Sequence, residues 1–125
     1  MIKIDYDPEK SVLFIELLRD VDAAQARLAL LELERDLANV EKGFKVLVDY
    51  TAVETMEPEV EGEVLKSMDF LNAKGVEEIV RVLPDPELEL GFNLMSIFHY
   101  SPQVRVHAAR TRAEGEALLR GKIKG

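Results

Sequence analysis

Apolar and polar residues alternate from Ile2 to Tyr6, and a short apolar run follows from Val12 to Leu18, with Asp7-Pro8-Glu9-Lys10 between them. Alternation with period two is the signature of a strand, and Asp and Pro favour turns, so this stretch predicts an N-terminal antiparallel hairpin. The period then changes. Ala26, Leu30, Leu33, Leu37 and Val40 fall on one face at helical spacing, and Asp22 stands three residues before Gln25 in the spacing of a capping box. A helix is expected from about Asp22 to Val40, broken at Gly43. Phe44 to Tyr50 is apolar except for Lys45 and rich in Val, the pattern of a strand buried on both faces, and it is the expected centre of a sheet.

A loop is expected from Thr51 to Met56, leading to Pro58 near a helix start. Val60, Val64, Met68 and Leu71 share a face of that helix until Gly75 ends it. Glu78 to Leu83 reads as another strand. Pro84-Asp85-Pro86 then punctuates the chain ahead of a helix from about Glu87 to Tyr100, and Ser101-Pro102 precedes a strand from Gln103 to Ala108. Thr111 caps a last helix through about Arg120, with Gly121 to Gly125 as a frayed tail. The order β-β-α-β-α-β-α-β-α predicts an α/β fold: a mostly parallel sheet with right-handed crossovers, an N-terminal antiparallel hairpin and about four helices. One domain over residues 1–125 uses the whole chain.

Composition narrows the function. The 125 residues are 47% hydrophobic, enough for one core and too few for two. Asp and Glu number 24 against 16 Lys and Arg, for a net charge of −8, a field that repels phosphate backbones and argues against nucleic acid as a partner. Cysteine is absent, which excludes thiol nucleophiles and Cys-based metal sites. Neither a signal-peptide pattern nor an apolar run long enough for a membrane span is found, so a cytoplasmic location is expected. No Gly-x-Ser-x-Gly elbow and no glycine-rich phosphate loop occurs, and neither an enzyme nor a cofactor is expected.

The element order, and the stretch Lys45-Val46-Leu47-Val48-Asp49-Tyr50-Thr51-Ala52-Val53-Glu54-Thr55-Met56, resembles the STAS domain, the fold of the bacterial anti-sigma factor antagonists. In that family a hydrophobic strand ends in an Asp ahead of a short loop and a helix. The closing segments, Val104-Arg105-Val106-His107 and Thr111-Arg112-Ala113-Glu114-Gly115-Glu116-Ala117-Leu118, are similar to the family's last strand and terminal helix. The resemblance implies a non-catalytic regulatory domain that binds a protein partner through Asp49, Thr51, Thr55, Glu57, Pro58, Glu59 and the helix that follows. One departure is plain. Phosphoswitch members open that helix with Asp-Ser-Ser or a close variant; here the matching residues are Glu57-Pro58-Glu59-Val60, and Pro58 carries no acceptor hydroxyl. Thr51 and Thr55 are the nearest hydroxyls, among glutamates that would repel an added phosphate.

Other features carry two readings each. The glutamates between Glu54 and Glu63 could dock a basic partner or hold a divalent cation, or could simply complement the positive end of a helix; no metal-loop spacing is present and no metal is expected. Residues 1–100 hold 10 basic and 22 acidic side chains while residues 101–125 hold 6 and 2, so Arg105, Arg110 and Arg112 form either a basic spot or part of a solvated C-terminus. His99 lines up with Leu88, Phe92 and Met95 on a helical wheel, an inner-face position; His107 alternates with Val106 on a strand; neither has a carboxylate partner fixed by spacing. Ala24, Leu28 and Leu31 point away from Leu30, Leu33 and Leu37, and Leu90 and Ile97 away from Leu88, Phe92 and Met95. Surplus apolar faces need a cover, which neighbouring helices, a second copy in a homodimer, a protein partner or a lipid-like ligand could supply. A carrier with an apolar pocket at Phe92, Met95, Phe98 and His99 is therefore the alternative function, and an enzyme using His99 or His107 with a nearby carboxylate is a minor one.

Overall fold

The computed structural model describes residues 1–85, 91–92 and 99–121. Its strands are β1 (Ile2–Asp7), β2 (Val12–Val21), β3 (Lys45–Met56), β4 (Glu78–Val82) and β5 (Arg105–Ala109); its helices are α1 (Ala23–Asp36), α2 (Val60–Lys74) and α3 (Arg112–Leu119). The sheet runs in chain order, β1-β2-β3-β4-β5, with β1 antiparallel to β2 and the remaining pairs parallel. The strand order thus agrees with the hydrophobic pattern, and β3 is the central strand.

Sequential parallel strands joined by crossovers of one hand send every connection over the same face. That face is the larger core. Ala26 and Leu33 of α1, Leu37 just after it, and Val60, Met68 and Leu71 of α2 pack there on Leu13, Ile15, Leu17, Val46, Tyr50 and Ile79, with Phe92 and Tyr100 from the β4–β5 connection. The other face is covered by α3, where Leu118 and Leu119 meet Val12, Leu47, Val80, Val82 and Ala109. A Cβ at Gly115 would lie 2.9 Å from Val82 Cγ2 and 3.2 Å from Leu47 Cδ1, so glycine lets this short helix lie directly on the sheet. Alternation along β3 sorts its side chains: Val46, Val48 and Tyr50 toward α1 and α2, Leu47 and Asp49 toward α3.

Local chemistry sets the boundaries. The capping box of α1 forms as expected: Gln25 N–H donates to Asp22 Oδ1 at 2.7 Å and Asp22 N–H to Gln25 Oε1 at 3.1 Å. The helix ends at Asp36, short of Val40, because tight turns (Ala38 N–H to Arg35 O, Val40 N–H to Leu37 O) fold the chain back while Leu37 is fully buried. Helix α2 begins at Val60, two residues after Pro58, since Val60 N–H to Glu57 O and Glu61 N–H to Pro58 O make a turn first. It ends at Gly75, whose φ of +96° and approach to Lys42 favour glycine. Most of the helix expected from Glu87 to Tyr100, including Leu88, Leu90, Met95, Ile97 and Phe98, lies outside the described residues, as do the last four residues of the tail.

The largest difference from the sequence reading is at Thr51–Met56. This segment is strand, a continuation of β3, and the expected loop is replaced by pairing with an equally extended β2: Leu18 with Ala52, Arg19 with Val53, Asp20 with Thr55 and Val21 with Met56. The register shifts between Glu16 and Leu18 and between Arg19 and Asp20, and Arg19 has a φ of 57°. Such irregularities add twist while the pairing continues. Glu57 N–H donates to Val21 O at 3.0 Å and carries the pairing one residue further.

Candidate interaction surface

Strands β1, β4 and β5 stop at the level of Tyr50, and β2 and β3 run on past them. Beyond Asp49, β3 has no strand partner on the β4 side among the described residues. Thr51, Ala52, Glu54, Thr55, Met56, Glu57, Pro58 and Glu59 are exposed, and Val53 is half-buried against the core. The N-terminal amine and Met1 O flank the start of the ribbon, bonding to Leu18 O, Asp20 O and Leu18 N–H.

Asp49 does not lie on this surface. Its carboxylate is buried on the α3 side, where Oδ1 accepts from Thr51 N–H at 2.9 Å and Thr51 Oγ1 at 2.7 Å, and Oδ2 from Arg112 Nη1 at 3.4 Å. The Arg112 guanidinium also lies 5.1 Å above the Phe14 ring. Asp49 thus ties the inner half of β3 to the start of α3, and Arg112 is a partner for a buried carboxylate as well as part of a basic C-terminus. Thr51 is exposed, but its hydroxyl is committed to Asp49.

The other expected contact residues lie together at the rim. Thr55 Oγ1 donates to Asp20 Oδ1 at 2.5 Å, which braces the ribbon across its two strands. Glu57 Oε1 accepts from Ala23 N–H at 3.4 Å, at the N-terminus of α1, so this carboxylate complements that helix's unpaired donors. Pro58 and Glu59 form the turn into α2, whose N-terminus has no side-chain cap; Glu61 and Glu63 occupy its first turn. Glu54, Glu57, Glu59 and Glu61 make this end of the molecule an exposed acidic edge.

Of the residues expected to form a ligand pocket, Phe92 and His99 lie within the described residues. Phe92 packs its ring 5.0 Å from Tyr50 and beneath the Arg81 guanidinium at 5.2 Å, as a core side chain. His99 Nδ1 pairs with Asp69 Oδ1 of α2 at 2.7 Å; Met95 and Phe98 lie outside the described residues. Burial pushes the Tyr50 hydroxyl up to about 12 and that of Tyr100 higher still, with the Arg81 charge acting in the opposite direction on both.

Buried charges not anticipated from the sequence form two further groups. Glu78 receives Lys45 Nζ at 3.4 Å, His107 Nε2 at 2.9 Å and Arg105 Nε at 3.7 Å at the amino ends of β3, β4 and β5. Both histidines therefore have a carboxylate partner, contrary to expectation, because strand pairing and helix docking bring together residues about thirty positions apart. Glu63 is the second group. Its side chain is 8% exposed and its Oε1 faces Arg27 Nε at 3.6 Å and Lys66 Nζ at 3.4 Å. A signal for it was present: Glu63 falls on the same helical stripe as Val60, Val64 and Leu71. Among the described residues no three His, Asp or Glu side chains are grouped to hold a metal ion, and no helix is long and apolar enough to cross a membrane.

No family model matches the chain, and no curated protein matches it. Solved structures do. A DUF3478-family protein with a SpoIIAA-like fold from Shewanella loihica PV-4 is 14% identical, with a TM-score of 0.71 over 95% of this chain and 92% of that one. The anti-sigma factor antagonist SpoIIAA in its unphosphorylated form is 16% identical, with a TM-score of 0.67 over 97% and 99%; the phosphorylated form, a Bacillus cell-fate determinant, gives 0.65. A chain in the complex of the diguanylate cyclase SiaD with its activator SiaC from Pseudomonas aeruginosa is 11% identical, with a TM-score of 0.59 over 86% and 92%. At these identities the likeness concerns architecture, and it agrees with the resemblance read from the residues: this chain has the STAS-like fold of SpoIIAA.

Proposed function

We propose that this chain is a non-catalytic regulatory domain that binds a protein partner through the outer half of β3 and the turn into α2. The observation that carries this reading is the projecting ribbon: β3 continues seven residues past its last pairing with β4, with no strand partner on that side among the described residues, and Glu54, Thr55, Glu57 and Glu59 beside it are exposed. An exposed strand edge offers backbone donors and acceptors to an added segment, and carboxylates beside it select a partner bearing Lys or Arg. The structural neighbours support the reading, since their names describe proteins that act on other proteins: an antagonist of an anti-sigma factor and an activator bound to a cyclase.

Binding here is independent of a serine switch at the helix start, because Pro58 stands where the acceptor would be. The ribbon is instead held in place by Thr55 on Asp20 and Glu57 on the start of α1. The test is site-specific photo-cross-linking in the native host cells, with the cross-linker placed at Thr55 or Glu59 and, as a control, at Lys10 in the β1–β2 turn. The reading predicts one discrete protein adduct from Thr55 and Glu59 and none from Lys10. Adducts from Lys10 alone, or none from the rim, contradict it.

A further inference from the structure

Strand β1 forms one outer edge of the sheet, and among the described residues no strand pairs with its free side. Met1 and Leu18 exchange both backbone bonds across β1 and β2: Leu18 N–H donates to Met1 O at 2.8 Å, and the N-terminal amine to Leu18 O at 2.8 Å. Bonded pairs alternate with unbonded ones in an antiparallel ladder, so Lys3, Asp5 and Asp7 also bond to β2, and the N–H and C=O groups of Ile2, Ile4 and Tyr6 point out from the sheet. Such a row of backbone groups is a template for a further strand. The side chains sort by face. Ile2, Ile4 and Tyr6 pack against the larger core on the α1 side, while Lys3 and Asp5 are exposed on the other. Beside this edge Met1, Ile2 and Leu28 line a groove, and Met1 and Leu28 are 57% and 67% exposed.

We propose that β1 pairs antiparallel with β1 of a second copy of this chain, about a two-fold axis at Ile4, so that two sheets join into one. Charge selects both the occupant and the register. Outward-pointing residues bond only to outward-pointing residues, so the strands slide past each other only in steps of two. With Ile4 opposite Ile4, Lys3 of each copy faces Asp5 of the other, in the unbonded pairs where side chains come closest, and the two-fold axis makes this contact twice. Ile2 then faces the second copy's Tyr6 on the α1 side, which brings an aromatic ring to the groove of Met1 and Leu28. Sliding one step matches Lys3 with Asp7 but sets Asp5 against Asp5; sliding the other way sets Lys3 against Lys3. The Ile4 register alone brings no like charges opposite each other, and like charges directly opposite are destabilising. The edge is separate from the ribbon: β1 lies on the far side of β2 from β3, so the outer half of β3 stays open in the pair and the proposal does not depend on a different protein binding there.

Sedimentation equilibrium of the full chain reads the mass in solution, and amide hydrogen exchange followed by NMR reads the edge itself. The mass of two chains is expected, with the amides of Ile4 and Tyr6 exchanging more slowly as protein concentration rises, while those of Lys3 and Asp5, bonded to β2, are protected already in the single chain. Lys3→Asp and Asp5→Lys each replace two attractive contacts with two repulsive ones, and each is expected to weaken association about tenfold. Mixed in equal amounts, the two variants regain it, because the acidic pair on one strand then faces the basic pair on the other. A single-chain mass at every concentration, which leaves the edge to a different protein's strand, overturns the proposal, as does a two-chain mass with Ile4 and Tyr6 amides that exchange freely; neither result needs a variant to fold. Association undiminished in both variants, or a mixture of folded variants that associates no better than either alone, overturns it as well.

Discussion

From Lys45 to Asp49, β3 is hydrogen-bonded on both edges, to β2 and to β4, and Val46, Leu47 and Asp49 are buried. From Thr51 to Met56 the same strand keeps only β2 among the described residues, and every side chain but Val53 is exposed. The inner half is held by burial on both faces. The outer half has little burial to hold it and relies on backbone pairing, on Val53, and on side-chain braces such as Thr55 to Asp20. An unpaired edge is a liability that proteins blunt with charge, and Glu54 meets that need. The comparison teaches that extended conformation alone does not make core: one strand can supply the centre of the fold and, a few residues later, a surface suited to a partner.

The sharpest way to break the inner half is Leu47→Ala. Leu47 is fully buried between β3, β4 and α3, and its truncation is expected to cost roughly 2–5 kcal/mol in urea unfolding. At the junction of the halves, Tyr50 makes stability depend on alkaline pH. Its hydroxyl is pushed up to about 12 by burial, against an ordinary value of 10.0. Below pH 10 both folded and unfolded chains keep this proton and no dependence arises. Between pH 10 and 12 the unfolded chain releases it first, so the Tyr50 contribution to stability falls by about 3 kcal/mol across that window. Tyr50→Phe should make that part of the profile shallower by this amount and leave the share of Tyr100, whose hydroxyl burial pushes higher still, as read from unfolding midpoints at several pH values.

A smaller loss is expected from Asp49→Ala, which strands the Thr51 donors and Arg112: about 1–3 kcal/mol, with Asp49→Asn losing less because it can still accept from Thr51. The outer half should give the smallest stability effect. Glu54→Lys with Glu59→Lys is expected to change unfolding free energy by less than about 0.5 kcal/mol. The same pair should weaken partner cross-linking from Thr55 several-fold. A large stability loss there, or undiminished cross-linking, would erase the distinction between the halves.

Hydrophobic periodicity made the five strands, the central place of β3 and the caps of α1 and α3 legible, because each depends on residues near one another in the chain: Asp22 with Gln25, Thr111 with Glu114. The outer half of β3 reads as loop in the sequence because Thr51–Met56 lacks a buried apolar face. Its one signal is β-branched Thr51, Val53 and Thr55 at every second position, a strand preference without burial. Of the expected contact residues, Thr55, Glu57, Pro58 and Glu59 emerge on one rim, whereas Asp49 turns inward to Arg112, sixty-three residues away. Pairings at that separation, like those of Glu78 with His107 or Glu63 with Arg27, are created by topology, and no local spacing announces them.

Whether the outer half of β3 is a protein-contact surface is decided by photo-cross-linking in native host cells from Thr55, compared with Lys10 in the β1–β2 turn. A single protein adduct from Thr55 that is lost when Glu54 and Glu59 are both changed to Lys is expected, and no adduct from Lys10. An adduct from Lys10 with none from Thr55, or a Thr55 adduct indifferent to the two charge reversals, would contradict it.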